Sequence, residues 1–232
     1  MRLHATTVLS LSALAVLALT GCSTGSAAPI RPTSPATVWV HPDGVSAPAS
    51  ALLSSAALAK RLLDESDLGE GYTRTSQPSA QHDDVTVVGC PALEKLGSDA
   101  AIGSGLAFTC RAKPAFTHTD TSSSEISEEL YSDSAAKLSK GVGKVFDAML
   151  SCPNYQVTSG SAVIDMSTAR SAAPDLGDER WSQLLTFSVG GQRSVVKQTA
   201  IRVGNILVVV SGSPGLVDAH VAKAVAKGLR AR

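Results

Sequence analysis

The 232-residue chain is poor in aromatics, at 4%, and carries no surplus of either charge, with 20 basic and 20 acidic side chains. Few large rings, with Ala, Ser, Val and Gly abundant, imply a modest core in an otherwise ordinary globular composition. The charge balance, about minus one once Arg2 leaves with a leader, gives no basic surface to hold nucleic acid or an anionic lipid face. Past the N-terminal segment there is no second apolar run of membrane-spanning length. Signatures of catalysis are missing too. No Gly-x-Ser-x-Gly elbow and no kinase motif occurs, and Gly103-Ser104-Gly105 is too short, and outside any strand-to-helix pattern, to cradle a nucleotide. No cofactor is expected. His82-Asp83-Asp84 is the densest set of metal-ligand types, but adjacent side chains on an extended backbone point apart and close no site alone. Asp175-Leu176-Gly177-Asp178-Glu179-Arg180 lacks the regular oxygen spacing of a calcium loop and reads as a solvated turn. No metal is expected either.

What is present starts at the N-terminus. Arg2 forms a short charged region and Val8 to Leu19 an apolar stretch long enough for export but too short to cross a bilayer. Leu19-Thr20-Gly21-Cys22 then resembles the bacterial lipobox, in which the cysteine is acylated and becomes the new N-terminus. Residues 1–21 are therefore expected to be removed as a signal peptide, and Cys22 to carry the lipid that holds the protein on the outer face of the cell membrane. Residues 22–50, with Pro29, Pro32, Pro35, Pro42 and Pro48 among Ser, Thr and Ala, read as an extended tether. Trp39, between Val38 and Val40, is its one bulky apolar feature.

Residues 51–232 read as a single α+β domain. Leucines at helical spacing predict a helix over Ala51 to Leu63, closed by Asp64-Glu65-Ser66-Asp67, and the glycines of Leu68 to Tyr72 predict a loop. Val85 to Val88 is a short strand, Pro91 to Leu96 a helical turn, and Leu106 to Thr119 an irregular strand broken at Pro114. A strand over Glu125 to Ser132 leads into the longest helix, Asp133 to Ser151, capped by Ser132 or Asp133. Gly141 and Gly143 weaken that helix and imply that something packs closely there. Further on, Ala162 to Met166 is a strand; Trp181, Gln183, Leu185, Phe187 and Val189 alternate as one face of the next. Gly190-Gly191 turns the chain into Arg193 to Val203, Gly204-Asn205 turns it again, and Ile206 to Val210, apolar at every position, reads as a central strand. A final helix, Gly215 to Ala231, presents Val217, Val221, Ala224 and Val225, with His220 flanking that stripe. The fold expected is a curved antiparallel sheet with helices packed on one face.

Of the three cysteines left after Cys22, Cys90 and Cys152 each precede a proline at the end of an element and are the expected disulfide of an exported protein. Cys110, inside an apolar strand, reads as a buried thiol. The layout then becomes familiar. A Leu-rich helix ending near Asp67-Leu68, a cysteine after a short strand, a long helix ending at Met149-Leu150-Ser151-Cys152, the Trp181 to Val210 strands and a closing Ala/Val helix resemble the PknH-like extracellular sensor domain. That family occurs outside receptor Ser/Thr kinases and as free-standing lipoproteins in actinobacteria. The resemblance, over Leu52 to Leu229, implies a sheet-and-helix domain with a cleft and a ligand-sensing role, and carries over no catalytic residues. Better-known members hold a second disulfide, which the cysteines here cannot form.

Strict alternation puts Glu128 on the same face as Ile126 and Leu130, where an unpaired charge is costly. Lys197 and Arg202 are candidate cations for it, either as structural bridges or as anchors for a ligand. With Trp181 and Phe187 they define the expected binding face of a non-catalytic module for a small envelope molecule or a protein partner. Readings from other classes are an envelope hydrolase built on His118 with Asp120, Asp133 or Glu125, and an assembly factor of a membrane complex.

Overall fold

The computed structural model describes residues 51–75, 85–97, 108–118 and 121–230, all within one compact unit, Pro42–Arg232. Cys22, Trp39, His82-Asp83-Asp84, Gly103-Ser104-Gly105 and Asp120 lie outside the described residues.

Helices α1 (Ser55–Ala59) and α2 (Glu65–Leu68) lead into β1 (Tyr72–Thr75) and β2 (Val85–Val88). Helix α3 (Pro91–Glu94), β3 (Cys110–Ala112), β4 (Ala115–His118), β5 (Thr121–Ser132) and the long helix α4 (Ala135–Ser151) follow. The remainder is an antiparallel meander, β6 (Asn154–Ser159), β7 (Ala162–Arg170), β8 (Glu179–Val189), β9 (Gln192–Val203) and β10 (Ile206–Gly212), closed by α5 (Pro214–Gly228). Among the described residues the strands form one antiparallel sheet in the order β1-β4-β5-β10-β9-β8-β7-β6-β2, with β3 also on β5, above the Pro114 break. This is the expected α+β architecture.

The meander forms where the sequence demands it. Gly190 and Gly191 turn β8 into β9 with φ of 56° and 82°, a left-handed pair that splays neither strand. Strand β10 sits between β5 and β9, and both its faces are buried. Its alternate residues enter different cores. Val208 and Val210 join Ile126, Leu130 and Ile201 beneath α5 and the α1 to α2 segment, whereas Leu207 and Val209 join Tyr131, Ala200, Leu138, Val142 and Phe146 of α4. The helices are thus divided between the two faces of the sheet, rather than gathered on one. The reason lies in β10 itself, since a central strand apolar at every position needs cover on both sides. A third cluster, with Leu93, Met149, Tyr155, Val157, Met166 and Leu185, continues beneath α4 and α3.

Helix α1 is shorter than its leucine pattern implies. Ser54 accepts a hydrogen bond from the Ala57 amide to start it, but Leu62 and Leu63 pack beyond its end, in the turn before α2. Helix α2 is held to α5 by Lys227, which pairs with Asp64 at 2.7 Å and with Asp67. The Lys227 partnership is the main cause of a lowered Asp64 pKa. The cap of α4 is Ser134, whose side chain accepts from the Lys137 amide; Asp133 instead accepts from Thr109 and from Lys137 Nζ.

The two glycines of α4 have different reasons. A methyl group on Gly141 would lie 2.7 Å from the Phe108 ring, whereas nothing stands within 4 Å of one on Gly143. Gly143→Ala is therefore expected to stabilise the domain by about 1 kcal/mol, the helix-propensity difference, and Gly141→Ala to destabilise it by displacing Phe108. Urea unfolding of the two variants checks this, and equal responses would refute it.

Candidate functional site

The disulfide forms between Cys90 and Cys152, with Cα atoms 5.6 Å apart, and ties the start of α3 to the end of α4. Cys110 is buried and outside any disulfide.

Cross-strand register fixes where the other expected residues lie. Glu128 sits opposite Val210, which sits opposite Thr199, on the face covered by α5 and α1 to α2. It is buried to 1% exposure, with Oε2 accepting from the Leu63 amide at 2.6 Å and Oε1 without a partner among the described residues. Burial is the chief reason its carboxyl is pushed up to about 8. The expectation of a costly acid holds, yet neither anticipated cation meets it. Lys197 lies on the same face one row away and pairs with Asp218 of α5 at 2.6 Å. Arg202, opposite Leu207 and Glu179, lies on the other face and is bonded to Asp178, Glu179 and the Gly204 carbonyl. Both cations act as structural bridges. Trp181 packs by α4 with its ring 6.5 Å from that of Phe146, and Phe187 packs against the Met149 and Tyr155 cluster, again on the face away from Glu128. The five residues therefore share no single surface.

His118 meets the Tyr72 ring edge to face at 5.0 Å, and Asp133 follows the far end of β5. These two residues of the hydrolase reading stand far apart. Glu125 faces Thr117 on the neighbouring strand.

Uncovered surface lies elsewhere. Helix α5 covers β5, β10 and part of β9, and among the described residues nothing covers the same face over β6, β7, the Thr186 to Ser188 end of β8 and the start of β9. Register aligns Val88, Gln156, Asp165, Ser188 and Arg193 across five adjacent strands, and Asn154, Ser167, Thr186 and Val195 along the next row. These residues line an open groove of about 660 Å³, except Val195. On the opposite face, beyond the reach of α4, a second groove of about 580 Å³ is lined by Ser127, Ser211, Ser194, Val196 and Phe187. Arg193, at the β8 to β9 hairpin, lines both. Sequence reading misses this row because no interval along the chain links residues that meet only through five strands in register.

The architecture defines a class first: an antiparallel α+β domain with a helix-covered and an uncovered part on one sheet face. Among described residues no helix is long and apolar enough to cross a membrane. No family model matches the chain, and no curated protein matches its sequence. Among solved structures it is similar to the extracellular domain of PknH from Mycobacterium tuberculosis, with a TM-score of 0.58 and 16% identity over 77% of this chain and 97% of that one. At that identity the likeness is one of fold.

Proposed function

We propose that the protein is a non-catalytic extracytoplasmic sensor or binding module of the PknH-like extracellular type, held to the outer face of the membrane by a lipid on Cys22 and a tether over residues 22–50. The observation that carries the binding role is the row of polar and charged side chains left open beside α5, with two grooves meeting at Arg193. Its fold likeness to an extracellular domain supports the location. The ligand is a small envelope molecule, and Arg193 is its charged contact.

Mass spectrometry of the full chain extracted from its own membranes tests both halves of the reading. The denatured protein is expected to show an acylated Cys22 at a new N-terminus. The native protein is expected to retain a non-covalent adduct that Arg193→Ala loses while the variant keeps the circular dichroism of the unaltered fold. An unmodified Cys22 would refute the anchor. A bare native chain, or an adduct indifferent to Arg193, would refute the small-molecule site and turn the search to protein partners by cross-linking.

A further inference from the structure

The open row offers its charges as a pair. Asp165 faces Ser188 and Ser188 faces Arg193 on three successive strands, so the acid and the guanidinium stand two strand spacings apart, about 10 Å between backbones, with one hydroxyl between them. Both are exposed. Asp165 is oriented by Gln156, whose Nε2 donates to Oδ1 at 2.8 Å. Of the cations on β9, Lys197 is held by Asp218 and Arg202 by Asp178 and Glu179, while among the described residues Arg193 carries no such ion pair.

A ligand of one charge sign is poorly matched to this row. A phosphate drawn to Arg193 is repelled by Asp165, and a cation drawn to Asp165 is repelled by Arg193. A sugar ring finds no aromatic face to stack on, because Tyr155, the one aromatic lining the groove, packs its side chain into the core on the other side of the sheet. A molecule with an ammonium at one end, a carboxylate at the other and amides between them matches every group. Its carboxylate meets the fork of Arg193, its ammonium meets Asp165, and Ser188, Thr186, Ser167 and Asn154 supply hydrogen bonds to what lies between. The groove, at about 660 Å³, falls within the size range of small-molecule sites.

We propose that the uncovered row of β6 to β9 binds a short zwitterionic peptide, with its carboxylate on Arg193 and its ammonium on Asp165. This rests on the binding reading above and names its ligand class. Tri-alanine, its N-acetyl form and its C-terminal amide, titrated into the full chain by calorimetry, test the proposal. Tri-alanine is expected to bind, and blocking either end to weaken it about tenfold or more, the worth of one charge-assisted contact. Arg193→Gln is expected to bind the free acid and the amide alike, and Asp165→Asn the free amine and the acetylated form alike. Equal affinity for all three peptides on the unaltered protein, or no binding of tri-alanine at millimolar concentration, would overturn the proposal. If the peptides fail while a native adduct is still lost in Arg193→Ala, the ligand class falls and the binding module stands; an adduct indifferent to Arg193 fells both.

Discussion

Replacing Cys90 and Cys152 together by alanine is expected to lower the stability of the domain by about 4 kcal/mol, the entropy released when a loop of this size is freed in the unfolded chain. The two residues are 62 positions apart, so the bridge closes a large part of the domain. Cys90 is fully buried against Leu93, Met149 and Tyr155, and losing its sulfur also thins that cluster. The damage has an address. Among the described residues, strand β2 lies at the rim of the sheet and pairs only with β6, over four residues, and Val87 and Leu93 are the buried anchors of β2 and α3. Hydrogen exchange in the double variant is expected to collapse in β2 and α3 first, while β8, β9 and β10 keep their protection. Urea unfolding that shifts by less than about 1 kcal/mol would show that core packing alone holds this end, contrary to the loop argument.

The second large effect has the opposite sign. Glu128→Gln is expected to stabilise the domain by about 3 kcal/mol at pH 7, because the folded carboxyl must hold its proton against a pKa that would otherwise be near 4.5. The direction follows from which state ionises. Below about 4.5 the acid is protonated folded and unfolded, and pH has no purchase on it. Between 4.5 and about 8 the unfolded chain releases the proton and the folded one keeps it, so stability falls as pH rises; above 8 both are ionised and the loss is complete. The groups facing Glu128 fix the size of the effect. The Leu63 amide and Lys227 of α5 favour the ionised form, Asp67 opposes it, and burial outweighs them. Glutamine keeps an acceptor for Leu63 without a charge to bury. Unfolding of both proteins at pH 5 and pH 8 decides the matter: the stability gap should widen severalfold at the higher pH. A gap independent of pH would mean that the carboxyl is ionised in the fold throughout.

The particular residues show what a single chain reveals of its fold. Strands β8 and β9 are plain in the sequence, since their alternation runs for many residues between glycine turns, and β10 is plain from its unbroken apolar run. Strand β6 is not, because Tyr155 and Val157 are its only buried positions and Pro153 precedes them. Strand β1 hides behind Gly69 and Gly71, which promise a loop and deliver one, but end it a residue early at Tyr72. Glu128 announces itself by its apolar neighbours. Parity within a strand tells which residues share a side, but not which side it shares with another strand. That is why Trp181 and Phe187 fall on the face opposite Glu128. The Asp165 to Arg193 row is harder still, for it is a property of register across the sheet and has no length along the chain.

The Ala51 carbonyl accepts from the Asn205 side chain at the turn between β9 and β10, and the Leu53 amide donates to Ser132 beside it. Arg193 stands at the other end of β9, on the order of 30 Å away for a strand of that length. The Ala51 contact and the Arg193 hairpin thus lie at opposite ends of one strand. A pull on the chain at Ala51 therefore enters the sheet at the β9 to β10 turn, the end of β9 opposite the hairpin that carries Arg193.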